Sequence, residues 1–395
     1  MRKYSLFTAV LLISTLSLSA KESEVKPDSS PVFQAKIDQL GSHQYQCYRE
    51  PVTVKTNSGR VVVGVHAGNR LSWPERSGQD LVVRYSDDQG KTWSSLIVAA
   101  EHGNFSCQSH GLVYDAQKNR LMFLYVTYNW DYSSIKGRGY GATKDIYQQL
   151  HDEGKPAMSA YMVFSDDDGK TWSKPRDLSD MVGGDAHFGA SEGRQLTVGK
   201  HAGRLVIAGG DKRNMNPTGK VINKIVGVWI SDDHGKNWRF SEIETGFGMG
   251  MSCEARVSEL SDGTLVYNAR MSKANLGRMI SFSKNGGETW SGTAVQKTLS
   301  SAKSNGCTMT LRDKDGKLTN TLWLSVPVGK LNNCTLFISE DGGETWLRKT
   351  QLVSGQHVKY SAMVQLDADT VGLFYETSHY KDIEYKRLSI PDLMK

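Results

Sequence analysis

At 395 residues the chain has room for two or three average domains, yet all-β propellers and barrels of this length form one, so domain count has to come from repeats. With 38% apolar residues, 9% aromatic residues and 39 glycines, the composition suits a globular protein with a core and many turns, which excludes wholesale disorder. The formal charge is +6, of which Arg2 and Lys3 supply two, leaving +4 spread without a basic run, so nucleic acid is not a predicted partner.

The N-terminal stretch MRKYSLFTAVLLISTLSLSAKES carries Arg2 and Lys3, an apolar run from Leu6 to about Leu16, and small residues ending in Ala20. That order predicts a signal peptide over residues 1–20, and the run falls short of the ~20 apolar residues a membrane span needs. The expected location is secreted or periplasmic, with no integral span after signal removal. Residues 21–44 are polar with two prolines and are expected to lead loosely into the fold. Five cysteines, Cys47, Cys107, Cys253, Cys307 and Cys334, lack CxxC or metal-type spacing, so structural burial is expected and at least one thiol stays unpaired.

From residue 45 onward the chain repeats itself. SDDQGKTW at 86–93 returns as SDDDGKTW at 165–172, SDDHGKNW at 231–238, SKNGGETW at 283–290 and SEDGGETW at 339–346. The shared frame is S-x-D-x-G-x-T-W, with Asn285 for the Asp in one copy and Asn237 for the Thr in another. Each copy follows a strand-like run such as DLVVRYS, AYMVFS or CTLFIS, which predicts a turn within a hairpin. The carboxylate can accept from the turn's own N–H groups, the Gly takes positive φ, and the Trp folds back onto the core. Successive box tryptophans stand 79, 66, 52 and 56 residues apart, too long for a solenoid coil and suited to a four-stranded blade. Helical periodicity is confined to a short segment near ATKDIYQQLHDEGK. The predicted fold is all-β: a six-bladed β-propeller of four-stranded antiparallel blades over residues 45–395, with one blade lacking a recognisable box. The boxes are expected to hold turns rather than carry chemistry.

Such boxes on an exported propeller resemble the sialidase (neuraminidase) superfamily, and further stretches over residues 45–390 are similar to bacterial exo-α-sialidases in the same order. CYREPVTVKTNSGRVVVG at 47–64 is similar to the family's Arg-Ile-Pro opening, with Glu50 for the Ile, which implies Arg49 as the first of three arginines that hold a substrate carboxylate. A guanidinium forks onto a carboxylate through two charge-assisted bonds, which a lysine cannot do. In GNRLSWPERSGQDLVVRYS at 68–86, Glu75 falls where the family keeps its acid/base Asp. Asp80 is the weaker alternative, and Arg70 and Arg76 either line the pocket or are solvated. SCEARVSELSDGTLVYNAR at 252–270 resembles the family's Asn-Glu, Asp-Gly and Asn-x-Arg series, which implies Glu254 as the base and Arg270 as the second arginine. VKYSAMVQLDADTVGLFYE at 358–376 looks like the closing segment, which implies Tyr360 as nucleophile and Glu376 as the acid that orients Arg49. The third arginine is unmatched: VGKLNNCTLFIS at 328–339 puts Leu331 in its place with Lys330 adjacent, so either Lys330 substitutes as a point charge or the triad is incomplete.

The implied reaction is the exo-acting, retaining release of a terminal acidic sugar from glycans, most simply α-linked sialic acid, without a cofactor or a metal. In a 2-keto acid glycoside the anomeric carbon bears a carboxylate, which repels an anionic attacker. A neutral Tyr360 avoids that repulsion, attacking as Glu254 takes its proton and Glu75 protonates the leaving oxygen. His66, His110 and His187 are expected at strand ends or loops, and GGDAHFGASEGRQL at 183–196 is expected as an exposed substrate loop. These features leave open a lyase on uronate polymers, in which a His or Tyr removes the proton beside the carboxylate. A carbohydrate-binding propeller without catalysis is the third reading.

Overall fold

The computed structural model describes residues 30–35, 39–40, 43–68, 78–130, 146, 148–150, 152–183, 186–215, 221–244, 251–271 and 273–395. They form an all-β propeller of antiparallel sheets. Strand Val61–Gly68 shows why the sheets stack face to face. It is buried along its whole length. Its odd-numbered side chains, Val61, Val63 and Val65, pack with Phe374 and Tyr385, while Val62 packs with Leu121 and Phe123 on the other face. Period-two alternation therefore feeds two separate hydrophobic layers from one strand, and each buried Val contributes roughly 1.5–3 kcal/mol.

The innermost strands, Cys47–Lys55, Ser106–Asp115, Met251–Glu259, Cys307–Arg312 and Ser361–Gln365, lie against one another around the centre. Glu192 and Arg256, each 2% exposed, form an ion pair there, and Glu192 also accepts from the backbone N–H of Thr53 at 3.3 Å. The segment 183–196 is thus not an exposed substrate loop. Phe188 and Ala190 are buried, and Ser191–Glu192 pairs in parallel with Gly111–Leu112, because Glu192 is drawn to the central guanidinium.

All five boxes build one turn. In the first, Asp88 accepts from the Thr92 N–H at 2.9 Å and the Thr92 hydroxyl at 2.7 Å, while Ser86 Oγ accepts from the Gly90 N–H at 2.7 Å. The bonds from Thr92, followed by that from the Ser86 hydroxyl at 2.8 Å, bring the Asp88 carboxyl down to about 2. The two departures keep the geometry by exchanging donor and acceptor. Asn285 accepts from the Thr289 N–H at 3.0 Å and donates to its hydroxyl at 2.8 Å, and Asn237 donates to Asp233 at 2.6 Å. Gly90 has φ +85°, and a Cβ there would collide with the Tyr385 ring, whose hydroxyl donates to the Gln89 carbonyl at 2.8 Å. Trp93 lies edge-on to Phe374 and Tyr385 at 5.6 and 5.5 Å, so the first box plugs against the last sheet.

Two expectations about organisation change. Residues Ser30–Gln34, inside the segment expected to lead loosely, form the outer strand of the last sheet, paired with Asp382–Ser389, because Val32 and Phe33 join the core around Tyr48. Among the described residues, five sheets have four or more strands, and one of them has nine. It arises because Gln79 and Ser106 make a single parallel bridge between two otherwise separate hairpin series. The helix expected near residues 142–155 is seen in its described part, where Ile146 and Leu150 pack on Trp130. Cys47, Cys107, Cys307 and Cys334 are buried, as expected, and the Cys47 thiol lies 3.5 Å from the Gly68 carbonyl.

Candidate active site

The site assembles where inner strands begin. Arg49 and Glu254 lie near the starts of Cys47–Lys55 and Met251–Glu259, and Tyr360 immediately precedes Ser361–Gln365. Their antiparallel neighbours end at the same place, which brings in Arg270 from Leu265–Met271 and Glu376 from Thr370–Thr377. Antiparallel pairing therefore collects five residues spread over more than 300 positions of sequence.

Arg270 is the hinge of the cluster. Its Nη1 lies 2.6 Å from Glu254 Oε2 and donates to the Tyr360 phenol oxygen at 3.1 Å. A guanidinium can only donate, so the phenol accepts in this contact and its own proton remains to be given away. Tyr360 is 4% exposed. Burial first, then the negative field of Glu254, hold its phenol well above the ordinary value, against the opposing pull of Arg270 and Arg49. Tyr360 is consequently neutral over the working pH range.

Arg49 is fully buried and donates through Nε to Glu376 Oε1 at 3.1 Å. The same oxygen accepts from the Glu50 N–H at 2.7 Å. With Glu376 fixing its inner edge, the guanidinium carbon stands 5.4 Å from the Tyr360 ring centre and 4.3 Å from that of Tyr380.

The remaining sequence candidates divide. Glu75, Arg70 and Arg76 lie outside the described residues. Asp80 accepts from the Tyr45 hydroxyl at 2.7 Å and is 8% exposed, so it serves a buried hydrogen bond. Lys330 is exposed on the loop before Asn333–Ser339, its carbonyl accepting from Asn333, and Leu331 is half-buried with its carbonyl accepting from the Val358 N–H at 3.1 Å. Among the described contacts neither side chain reaches the Tyr360 cluster. His187 accepts from the Gly189 N–H at 3.1 Å within its own turn. His66 and His110, expected at strand ends or loops, are buried within strands at 1% and 0% exposure beside Arg49 and Glu50.

Several pocket residues carry no sequence signal as single positions. Arg278 faces Arg270 across the strand pair, is fully buried, and donates to Asn268 Oδ1 and to the Ser304 carbonyl at 3.3 Å. Burial, then the neighbouring Arg256 and Arg270, press its guanidinium down to about 9. Lys359 sets its ammonium 5.3 Å from the Tyr360 ring centre and 5.0 Å from that of Tyr380. The one available hint was that Arg278 opens a box strand.

Repeated S-x-D-x-G-x-T-W turns on an all-β propeller define the class of Asp-box propellers. Within that class the chain belongs to the BNR repeat-like domain family, whose match covers residues 75–373, and to the sialidase superfamily. It is 24% identical to a sialidase of Bacteroides fragilis over 377 residues, covering 91% of this chain and 65% of that one. It is 26% identical to a sialidase of Micromonospora viridifaciens over 369 residues, covering 89% and 53%. The chain thus spans less than two thirds of the length of these relatives. In fold it is similar to a Hadza microbial sialidase, with a TM-score of 0.74 at 21% identity over 92% of this chain and 69% of that one. The intramolecular trans-sialidase of Ruminococcus gnavus matches with a TM-score of 0.70 at 18% identity, covering 92% and 98%.

Proposed function

We propose that this protein is an exo-acting sialidase-like glycoside hydrolase that releases a terminal acidic sugar, most simply α-linked sialic acid, with retention of configuration. The observation that carries this reading is the shared donor: one nitrogen of Arg270 serves both the Glu254 carboxylate and the Tyr360 oxygen. Base and nucleophile are thereby held at one point, and the names of the relatives agree with the reading.

In this mechanism Arg49 and Arg270 bind the sugar carboxylate, with Glu376 keeping Arg49 oriented. The neutral phenol of Tyr360 meets a carbon that already bears a negative group without charge repulsion. As the Tyr360 oxygen bonds to that carbon, Glu254 accepts the phenol proton and Arg270 stabilises the oxygen's developing charge. Glu75 is the proposed acid that protonates the departing oxygen and afterwards activates water. Arg70 is a proposed pocket residue, and with Lys330 on an exposed loop the proposed carboxylate site is the incomplete triad of Arg49 and Arg270. We further propose export to the periplasm or exterior, and a count of six blades in which the nine-stranded sheet contributes two.

Purified protein offered 4-methylumbelliferyl sialoside should release the fluorophore, and Tyr360→Phe should abolish release. No turnover on any sialoside, or a Phe variant as active as the parent, would remove the reading. An unsaturated, ultraviolet-absorbing product from a uronate polymer would replace it with the lyase.

A further inference from the structure

Beside Arg49, whose Nη2 lies 3.9 Å from Glu50 Oε1, three side chains meet to which the hydrolytic reading gives no role. The ligand atoms of Glu50, His66 and His110 all lie within 4.8 Å of one another. Glu50 holds a left-handed backbone, φ +58°, at an irregularity in the pairing between Arg49 and Val52. That conformation costs a non-glycine residue on the order of 1 kcal/mol or more and persists only when its surroundings enforce it. Here the Glu50 N–H is held by Glu376 at 2.7 Å and its carbonyl by His110 Nε2 at 2.8 Å. The enforced turn brings the Glu50 carboxylate to 3.8 Å from His66 Nδ1.

The imidazoles are the second observation. His66 and His110 pack edge to face at 5.3 Å between ring centres, at 1% and 0% exposure. Neither nitrogen of His66, nor Nδ1 of His110, has a hydrogen-bond partner among the described residues. Each imidazole thus has a buried ring nitrogen without a hydrogen-bond partner among the described residues, and each orphaned polar group costs about 1–3 kcal/mol, which an ion taking one nitrogen from each ring would relieve. Two neutral imidazoles and one carboxylate form a nitrogen and oxygen set that suits zinc and leaves a fourth position open. The positive charges of Arg49 and Lys359 oppose a cation, and the carboxylates of Glu50 and Glu376 offset them. Tetrahedral zinc sets its ligands roughly 3.3 Å apart, so closure asks side-chain movement of about an ångström or so.

We propose that Glu50, His66 and His110 bind a single divalent transition-metal ion, zinc by the chemistry of the donors. The site is independent of which sugar the pocket takes.

The test uses the full chain, stripped with a chelator, dialysed and titrated with zinc chloride alone by calorimetry, with retained metal counted by mass spectrometry after gel filtration. One zinc per chain should be retained, and the melting temperature of the chain should rise when zinc is present. His66→Gln, His110→Gln and Glu50→Gln should each weaken zinc binding at least ~100-fold, while His357→Gln binds as the parent does. Should a buried-histidine variant fail to fold, the visible spectrum of the cobalt(II)-loaded parent decides, with bands of a low-coordinate nitrogen and oxygen site that zinc displaces. Failure of the parent to retain zinc overturns the proposal, as does undiminished binding by the three folded variants. Either result leaves the sialoside assay free to stand or fall by itself.

Discussion

Arg49 and Glu376 stand 327 positions apart in the chain and meet as an ion pair of 3.1 Å in which both side chains are fully buried. Neither charge has water to fall back on, so each draws much of its solvation from the other, with the Glu50 N–H on Glu376 and the Glu50 carboxylate 3.9 Å from Arg49 adding to it. The pair therefore fixes a pocket arginine and ties an early inner strand to the last sheet at once. Glu376→Ala should cost about 3–5 kcal/mol of stability in urea denaturation, because it strands a buried guanidinium. Glu376→Gln keeps an acceptor and should cost less.

Tyr360→Phe removes one oxygen and leaves the ring's packing intact. Its only described hydrogen-bond loss is the contact from Arg270. The expected outcome is a fold within a few degrees of the parent in melting temperature and a loss of turnover on a sialoside. A residual rate near that of the parent would show that another group attacks.

Glu254→Gln preserves size and removes the basic oxygen paired with Arg270. Loss of a general base lowers kcat by about 10²–10⁴-fold. Substrate affinity should change little by comparison, so the defect should appear in kcat and not in KM.

Box chemistry is testable at its neutral copy. Asn285→Ala removes the bonds to the Thr289 N–H and hydroxyl and should cost about 1–2 kcal/mol in urea denaturation. Asn285→Asp restores the pattern seen at Asp88 and should fall within roughly 0.5 kcal/mol of the parent.

The imidazole of His357 is brought down to about 4, first by burial and then by His379, Lys359 and Arg49. In the unfolded chain it titrates near ~6.5, so between the two values the unfolded state binds more protons. Its contribution to stability is fully present above about pH 6.5 and is lost as the pH falls towards 4. Melting temperatures taken at neutral and mildly acidic pH should show this decline, and His357→Asn should flatten it. An unchanged slope in the variant would assign the decline elsewhere.

Much of the fold was legible in residue order because its signals are local. A box needs a Ser, an acid or amide, a Gly and a Trp within eight positions, and the bonds it makes span at most four residues, as between Asp88 and Thr92. The ordered candidates Arg49, Glu254, Arg270, Tyr360 and Glu376 were found by likeness of short motifs, and the fold brings these five together. Lys330 shows the limit of that method, since adjacency in sequence to the expected third arginine did not carry it to the cluster. The segment holding Glu192 shows it again: its place in the chain suggested an exposed substrate loop, and a buried guanidinium drew it inward.

What the amino-acid order determined by itself was the repeated turn, the strand character between turns and the set of ionisable groups available for chemistry. Only the folded chain decided which of those groups lose water and which charge each then faces. Arg278, His66 and His110 owe their character to burial beside particular neighbours, and those neighbours arrive through pairings between strands far apart in sequence. Electrostatic environment is a property of distance and dielectric, and neither is written in any short stretch of residues.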